Sequence, residues 1–269
     1  MYNITTDYVK KNAESWDKWA KDDCTFSKPI SHEEYAKIKD GKWEIYASPL
    51  TPIPKKWFGN LKRKKVLCLA SGGGQQAPIF AALGAEVTVL DISKEQLALD
   101  ALVAEREGLD INLVRGDMTQ RLPFDNETFD LIFNPVSTTY IRKVEPLWCE
   151  CYRILKKGGK LITAITNPDV FAFDLIGGKL ELKYRIPYDP ATDDHDNDES
   201  REDIQFSHSI TTQIGGQLKA GFILVDLFED YHYTAVPNGT KEQMKYAQIA
   251  SILTKFFPIY LLTLSQKII

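Results

Sequence analysis

The sequence predicts an α/β fold, a doubly wound and mostly parallel seven-stranded sheet, and two observations carry that prediction. From Lys65 onward, short apolar runs alternate with longer amphipathic segments, a rhythm that demands parallel strands with helices packed on both faces. Seven of the apolar runs have strand length and are separated by helical patterns or turn residues.

The first three strands are KVLCLA, EVTVLD and INLVRG, with QQAPIFAALG and KEQLALDALVAEREG as the helices between them, a βαβαβ unit. FDLIFN follows as a fourth strand. VEPLWCECYRILKKGG reads as a helix whose basic last turn is closed by Gly158 and Gly159, and KLITAIT as the fifth strand. Beyond Pro168 the rhythm breaks, and the stretch from Pro187 to Asp203 is polar and densely acidic, an exposed insertion loop. The core resumes with SITTQIGGQLKAGF as a helix ending at Gly221 and FILVDLFED as a strand. KEQMKYAQIASILTKFF is then a helix and PIYLLTLSQKI the last strand. Before Asn60, Trp16 and Trp19 at i,i+3 spacing mark a helix, and Pro49, Pro52 and Pro54 punctuate a linker. Residues 1–60 are expected to form an arm that covers the mouth of the sheet.

At 269 residues the chain is long enough to bury one substantial core, so a single domain with additions is expected. Its four cysteines, Cys24, Cys68, Cys149 and Cys151, form no C-x-x-C pair and read as reduced thiols. The N-terminal stretch carries charges where a signal peptide needs an apolar run, which makes the cytoplasm the expected compartment. FFPIYLLTL is too short to cross a bilayer and contains Pro258. A net charge of −4 gives no overall attraction to nucleic acid, and the basic run Lys62 to Lys65 reads first as a solvated strand entry.

The sharpest chemical feature is the passage of the first strand into Ser71, Gly72, Gly73 and Gly74 and then directly into a helix. Glycines there allow a tight turn and close approach of a ligand to the backbone, while the helix offers unpaired N–H groups. Asp91 ends the second strand, where a carboxylate can accept from both hydroxyls of a ribose; capping of the helix near Lys94 is the alternative role. Gly72, Gly74 and Ala77 also satisfy a G-x-G-x-x-A dinucleotide fingerprint, so a nicotinamide cofactor stays open at this point. At the end of the third strand Asp117 can accept from an adenine amino group and Met118 can lie against the base.

These residues resemble the class I S-adenosylmethionine-dependent methyltransferases, in the group of small single-domain members. LCLASGGG resembles their first motif, VLDIS their second-strand acid, RGDMTQRLPFDNETFDLIFNP their adenine loop and fourth strand, and ECYRILKKGGKLI their approach to the fifth. The resemblance spans about Lys64 to Thr166, continues more loosely through AGFILVDLFED and fades in the first sixty residues. It implies S-adenosylmethionine as cofactor and S-adenosylhomocysteine as product, with a sheet that ends in an antiparallel hairpin. Residues 61–166 become the cofactor-binding core, 167–206 the insertion after strand 5 and 207–269 the C-terminal part of the sheet. Ala70, Ser71, Gly72 and Gly74 line the methionine and ribose side, Asp91 holds the ribose, and Ile92, Asp117 and Met118 frame adenine; Asn134 joins the cofactor site from the end of the fourth strand. Two positions depart from the family, where Cys68 stands for a common acid and Ala70 for a common glycine.

The activated methyl comes with such a cofactor, so the protein need mainly hold an acceptor in line and exclude water. Val136 and Ser137 replace the second proline and the aromatic of an N-P-P-aromatic motif, so amino methylation of nucleic acid or protein is not inferred. Tyr140 can line the acceptor pocket or simply pack. His208 is the histidine best placed for acid–base work, with a structural role as its alternative. His32, His195 and His232 form no ligand-spaced pair, and DDHDND lacks the glycine and closing glutamate of a calcium loop, with Glu199 and Gln205 there instead; no metal is expected. The acidic loop, with Trp16 and Trp19, is expected to close over the acceptor. A small-molecule methyltransferase leads. An enzyme acting on RNA or protein, a non-catalytic cofactor-binding protein and a nicotinamide oxidoreductase stay open, as do the acceptor and the oligomeric state.

Overall fold

The computed structural model describes residues 8–22, 24–192, 202–233 and 241–268, with side chains from residue 244 on in the last span. His195 and the acidic run 193–198 lie outside the described residues. The main sheet contains β1 (Lys65–Leu69), β2 (Glu86–Asp91), β3 (Ile111–Arg115), β4 (Phe129–Asn134), β5 (Leu155–Thr166), β8 (Phe222–Asp230) and β9 (Tyr260–Lys267), while β6 (Phe173–Ile176) and β7 (Lys179–Leu182) form a hairpin of their own. Its order is β3-β2-β1-β4-β5-β9-β8, the seven strands that the sequence predicts. The first five run parallel, and β9 is antiparallel to both β5 and β8. The chain winds outward from β1 to β3 and then returns to β4. The strand order therefore reverses between β1 and β4, where open α/β sheets leave a crevice beyond the strand ends.

The centre of the sheet is apolar on both faces, as parallel strands between helices require. In β1, Val66 and Cys68 join a core with Phe80 of α4 (Ala77–Ala82) and Phe133 of β4, while Leu67 and Leu69 face Trp148 and Ile154 of α6 (Glu145–Ile154). Period-two alternation of a continuous hydrophobic run thus feeds two cores. Trp57 and Phe58 of α3 (Lys55–Phe58) cover the first core, so the linker segment is part of the packed body. No helix among the described residues is long and apolar enough to cross a membrane.

Two local expectations are corrected. Gly158 and Gly159 do not close α6; the helix ends at Ile154, and Leu155 is already extended. The last-turn carbonyls of Arg153 and Ile154 accept from the N–H groups of Glu127 and Thr128, so no glycine cap is needed. The glycine pair instead lies in an irregular stretch of β5, where pairing with β4 shifts register between Phe129 and Leu131. Within the insertion, the sequence FDLIGGKLEL forms the β6–β7 hairpin about Gly177 and Gly178, a two-glycine turn signal passed over in favour of the polar loop that follows.

The N-terminal arm begins with α1 (Tyr8–Lys21), which packs on α5 (Lys94–Glu107). Asp17 Oδ1 accepts from the Ser93 hydroxyl at 2.6 Å and from the Glu95 N–H at 3.2 Å, which places a carboxylate at the positive end of α5. The arm continues through α2 (His32–Lys39), whose start is fixed by a reciprocal capping box between Ser31 and Glu34.

Backbone strain is concentrated where β1 leaves the sheet. Ala70 is left-handed at φ +47°, and Gly74 lies at φ +69° with Leu99 O only 2.8 Å from where a Cβ would stand. Gly74→Ala is therefore expected to cost about 2 kcal/mol or more in urea unfolding, through the left-handed φ and the carbonyl clash. Ala70→Gly is expected to be neutral or stabilising by up to about 1 kcal/mol, because relief of the left-handed strain outweighs the added freedom of the unfolded chain. A loss of stability in the second variant counts against strain at Ala70.

Candidate active site

A cavity of about 1110 Å³ runs along the C-terminal tips of the strands. Pockets for a single small ligand occupy roughly 300–1,000 Å³, so the space accommodates two ligands side by side. One half lies over β1, β2 and β3, and the other over β4, β5 and β9.

In the first half, Ala70, Ser71 and Gly72 follow β1, Asp91 and Ile92 follow β2, and Asp117 and Met118 follow β3. All seven were expected at a ligand site, and all line the cavity. The Gly72 N–H donates to Asp91 Oδ2 at 2.9 Å, and the Ser93 N–H to Asp91 Oδ1 at 2.9 Å. The cap of α5 is Ser93, whose hydroxyl accepts from the Gln96 N–H, so Asp91 is not the helix cap. Each Asp91 oxygen has one protein donor and keeps a lone pair for a further one. Burial raises its pKa above the ordinary carboxylate value, against the Ser93, Gly72 and Ile92 N–H groups. Asp117 receives the Thr119 N–H and hydroxyl, both at 2.8 Å, one on each oxygen, and likewise retains accepting capacity.

The glycine loop itself departs from expectation. Its N–H groups are not free: those of Gly73 and Gly74 each donate to the buried Asp100 carboxylate at 3.1 Å. Burial and the nearby Asp91 charge push the Asp100 pKa well up. Gly74 does not line the cavity, because its N–H and its close approach are both spent on α5. Asn134 is also corrected. It is fully buried, donates to Leu69 O and Ser137 Oγ and accepts from the Thr163 hydroxyl, tying the tips of β1, β4 and β5 together beneath the cavity.

The second half is rich in aromatic side chains. Tyr140 lines it, with its ring edge-to-face against Trp16 at 5.5 Å. His208 does not line the main cavity. It is buried, and its Nε2 donates to the Ile141 carbonyl at 2.8 Å, with the Thr138 carbonyl at 3.2 Å. Burial lowers its pKa and favours the neutral imidazole, a hydrogen-bonded structural histidine. Sequence reasoning missed Tyr233, Tyr246, Tyr260, Asp174, Lys183 and Lys245, which line the same half. They come from the insertion hairpin, the segment after β8, α8 (Lys241–Leu253) and the start of β9, and only the tertiary fold brings them together.

The arm and the returning end of the insertion form one wall. Asn12 donates to the carbonyls of Ile204 and Tyr140 and accepts the Ile204 N–H, while Trp19 Nε1 and Lys18 both donate to the Glu202 carboxylate. Asn12→Ala strands the Ile204 backbone groups, a loss of about 1–3 kcal/mol of local stability. Faster hydrogen exchange confined to residues 8–21 and 202–206 is the expected outcome. Unchanged exchange there contradicts the role of Asn12.

The family model for the methyltransferase domain matches residues 67–163. The uncharacterized methyltransferase YbaJ of Bacillus subtilis (strain 168) is 42% identical over 230 residues, covering 82% of this chain and 90% of the relative. Among solved structures, an S-adenosylmethionine dependent methyltransferase from Mesorhizobium loti has a TM-score of 0.59 at 19% identity, covering 79% of this chain and 95% of that one. The geranyl diphosphate C-methyltransferase from Streptomyces coelicolor A3(2), in complex with Mg2+, geranyl diphosphate and S-adenosyl-L-homocysteine, has a TM-score of 0.64 at 14% identity, covering 98% of this chain and 99% of that one. At these identities the two structures carry the fold alone.

Proposed function

The chain belongs to the class I S-adenosylmethionine-dependent methyltransferases, and from that premise we propose that the cavity half over β1 to β3 holds the cofactor and the half over β4, β5 and β9 a small-molecule acceptor. The observation that carries this reading is the commitment of the glycine-loop N–H groups to Asp91 and Asp100. A pyrophosphate needs those donors free; an adenosyl group joined to methionine carries no phosphate and does not need them.

The residues present fit that group. Asp91 would accept from the ribose hydroxyls with its remaining lone pairs, and Asp117 from the adenine amino group. Ile92 and Met118 would frame the base, and Ala70, Ser71 and Gly72 would border the methionine part. When bound, the cofactor supplies a methyl group already activated on a sulfonium, poised for in-line displacement. The protein then needs to hold an acceptor behind that carbon and keep water out, and such positioning is worth roughly 7 to 11 kcal/mol. The wall built from α1 and residues 202–205 serves exclusion, and a cavity closed on that side suits a small acceptor better than a macromolecule. The geranyl diphosphate of the solved neighbour is an acceptor of that size class.

Asp91→Ala is expected to abolish calorimetric binding of S-adenosylhomocysteine while leaving the unfolding transition cooperative. Retention of wild-type affinity contradicts the assignment. The pH dependence has a fixed sign. Ribose hydroxyls favour the ionised carboxylate, so binding lowers the Asp91 pKa and releases a proton on the acid side. Affinity falls as pH drops through the raised pKa of the free protein, beginning above the ordinary carboxylate value. The Asp91→Asn variant shows no such step.

A further inference from the structure

Where the insertion hairpin meets α8, the wall of the second half of the cavity gathers two ammonium groups on one carboxylate. Lys183 Nζ donates to Asp174 Oδ2 at 3.0 Å, and Lys245 Nζ donates to Asp174 Oδ1. Lys183 comes from the end of the insertion hairpin and Lys245 from α8, and one buried carboxylate serves two ammonium groups. The cluster carries one net positive charge inside a cavity wall. Burial opposes ionisation of Asp174, yet Lys245 and Lys183 together hold its pKa below the ordinary range, so the carboxylate is charged. The lysine side chains are 31% and 47% exposed, with ammonium hydrogens left over for a ligand.

The adjoining surface adds neutral donors. Tyr140, Tyr233, Tyr246 and Tyr260 line the same cavity, and no side-chain hydrogen bond engages their phenol oxygens among the described residues. The rings form a continuous surface toward the lysines. Tyr233 meets Tyr260 at 6.3 Å and Tyr246 at 5.5 Å, Tyr246 meets Phe171 at 6.4 Å, and Phe171 stacks on Tyr188 at 6.1 Å. Tyr188 reaches Tyr184, over which Lys183 sits at 4.7 Å. Burial pushes the pKa of each of the four phenols up, so each keeps its proton and remains a donor at neutral pH.

We propose that Lys183 and Lys245 form an anion anchor, and that the methyl acceptor carries a carboxylate or phosphate group seated on them, with an apolar or aromatic body against the tyrosine-lined wall. Among the described residues the two ammonium groups share the one Asp174 carboxylate, which favours a ligand that brings a further negative charge to them. The phenols that line the same cavity, without a side-chain partner among the described residues, suit a ligand rich in acceptor oxygens. The flat rings beyond favour a body that stacks or packs. The inference rests on the division of the cavity into cofactor and acceptor halves, and it narrows the acceptor from any small molecule to an anionic one.

The test uses the full chain saturated with S-adenosylhomocysteine and titrated calorimetrically with benzoate, phenyl phosphate and the neutral isostere benzamide. At least one anion is expected to bind about tenfold or more tightly than benzamide, as a charge-assisted contact requires. The two anions separate a carboxylate preference from a phosphate preference. Lys183→Met and Lys245→Met are expected to erase the discrimination, and Lys245→Arg to retain it. Affinity for S-adenosylhomocysteine stays at the wild-type value in all three variants. Equal or tighter binding of benzamide, no binding of either anion, or discrimination that survives both methionine substitutions overturns the proposal. Failure of the wild-type protein to bind S-adenosylhomocysteine strikes the cofactor reading instead, so the two failures are separate results.

Discussion

The turn by which the chain leaves β1 is the constraint on which the rest depends. Within seven residues the backbone passes from a central strand of the sheet into a helix, through a left-handed Ala70 and the positive φ of Gly73 and Gly74. Two buried carboxylates hold it there: Asp91 takes the Gly72 N–H, and Asp100 takes those of Gly73 and Gly74. Each acid serves two ends. Asp91 fixes the loop while facing the cavity, and Asp100 pins the loop to α5 from behind. Because the loop N–H groups are already engaged, they are not offered to a phosphate, and the acceptors Asp91 and Asp117 suit a ligand that donates, as the hydroxyls and amino group of an adenosyl group do.

From that turn the cavity is ordered by strand position. The tips of β1, β2 and β3 supply the polar, acid-bearing half, and the tips of β4, β5 and β9 border the aromatic half. Asn134 links the β1, β4 and β5 tips below the floor, so the two halves are held in fixed relation by one buried amide. The roof is assembled from distant parts of the chain. Asn12 and Trp19 of α1 grip residues 202–204, and Asp17 grips the start of α5. An opening of that roof therefore breaks contacts to both the insertion and α5 at once.

Much of the fold was legible in the sequence because β1 to β5 follow the rule that buried parallel strands are short apolar runs between amphipathic helices. Asp91, Asp117 and Met118 were legible as well, since their place at a strand end fixes their position relative to the crevice. Gly74 and Asn134 were misread because a motif position says nothing of which neighbour takes the hydrogen bond; α5 and the β5 threonine took them. His208 stood out for its place at the return to the core, with a structural role as the alternative to acid–base work, and burial beside two carbonyls gives it the structural one. Gly158 and Gly159 resembled a helix cap, and two N–H groups from the preceding turn had already satisfied the helix end. Lys183, Lys245 and the tyrosines carry no local pattern at all. They meet because the hairpin of the insertion, the segment after β8, α8 and β9 border one cavity, a contact set by tertiary packing.

The most direct measurement of the central claim compares S-adenosylhomocysteine with NAD on the same protein by calorimetric titration, since both carry an adenosine and only one carries a pyrophosphate. With the loop donors committed to Asp91 and Asp100, S-adenosylhomocysteine binds and NAD gives no heat beyond dilution. Binding of NAD with comparable affinity would contradict the account, because the Gly72, Gly73 and Gly74 N–H groups would then have to leave their carboxylates for the phosphates.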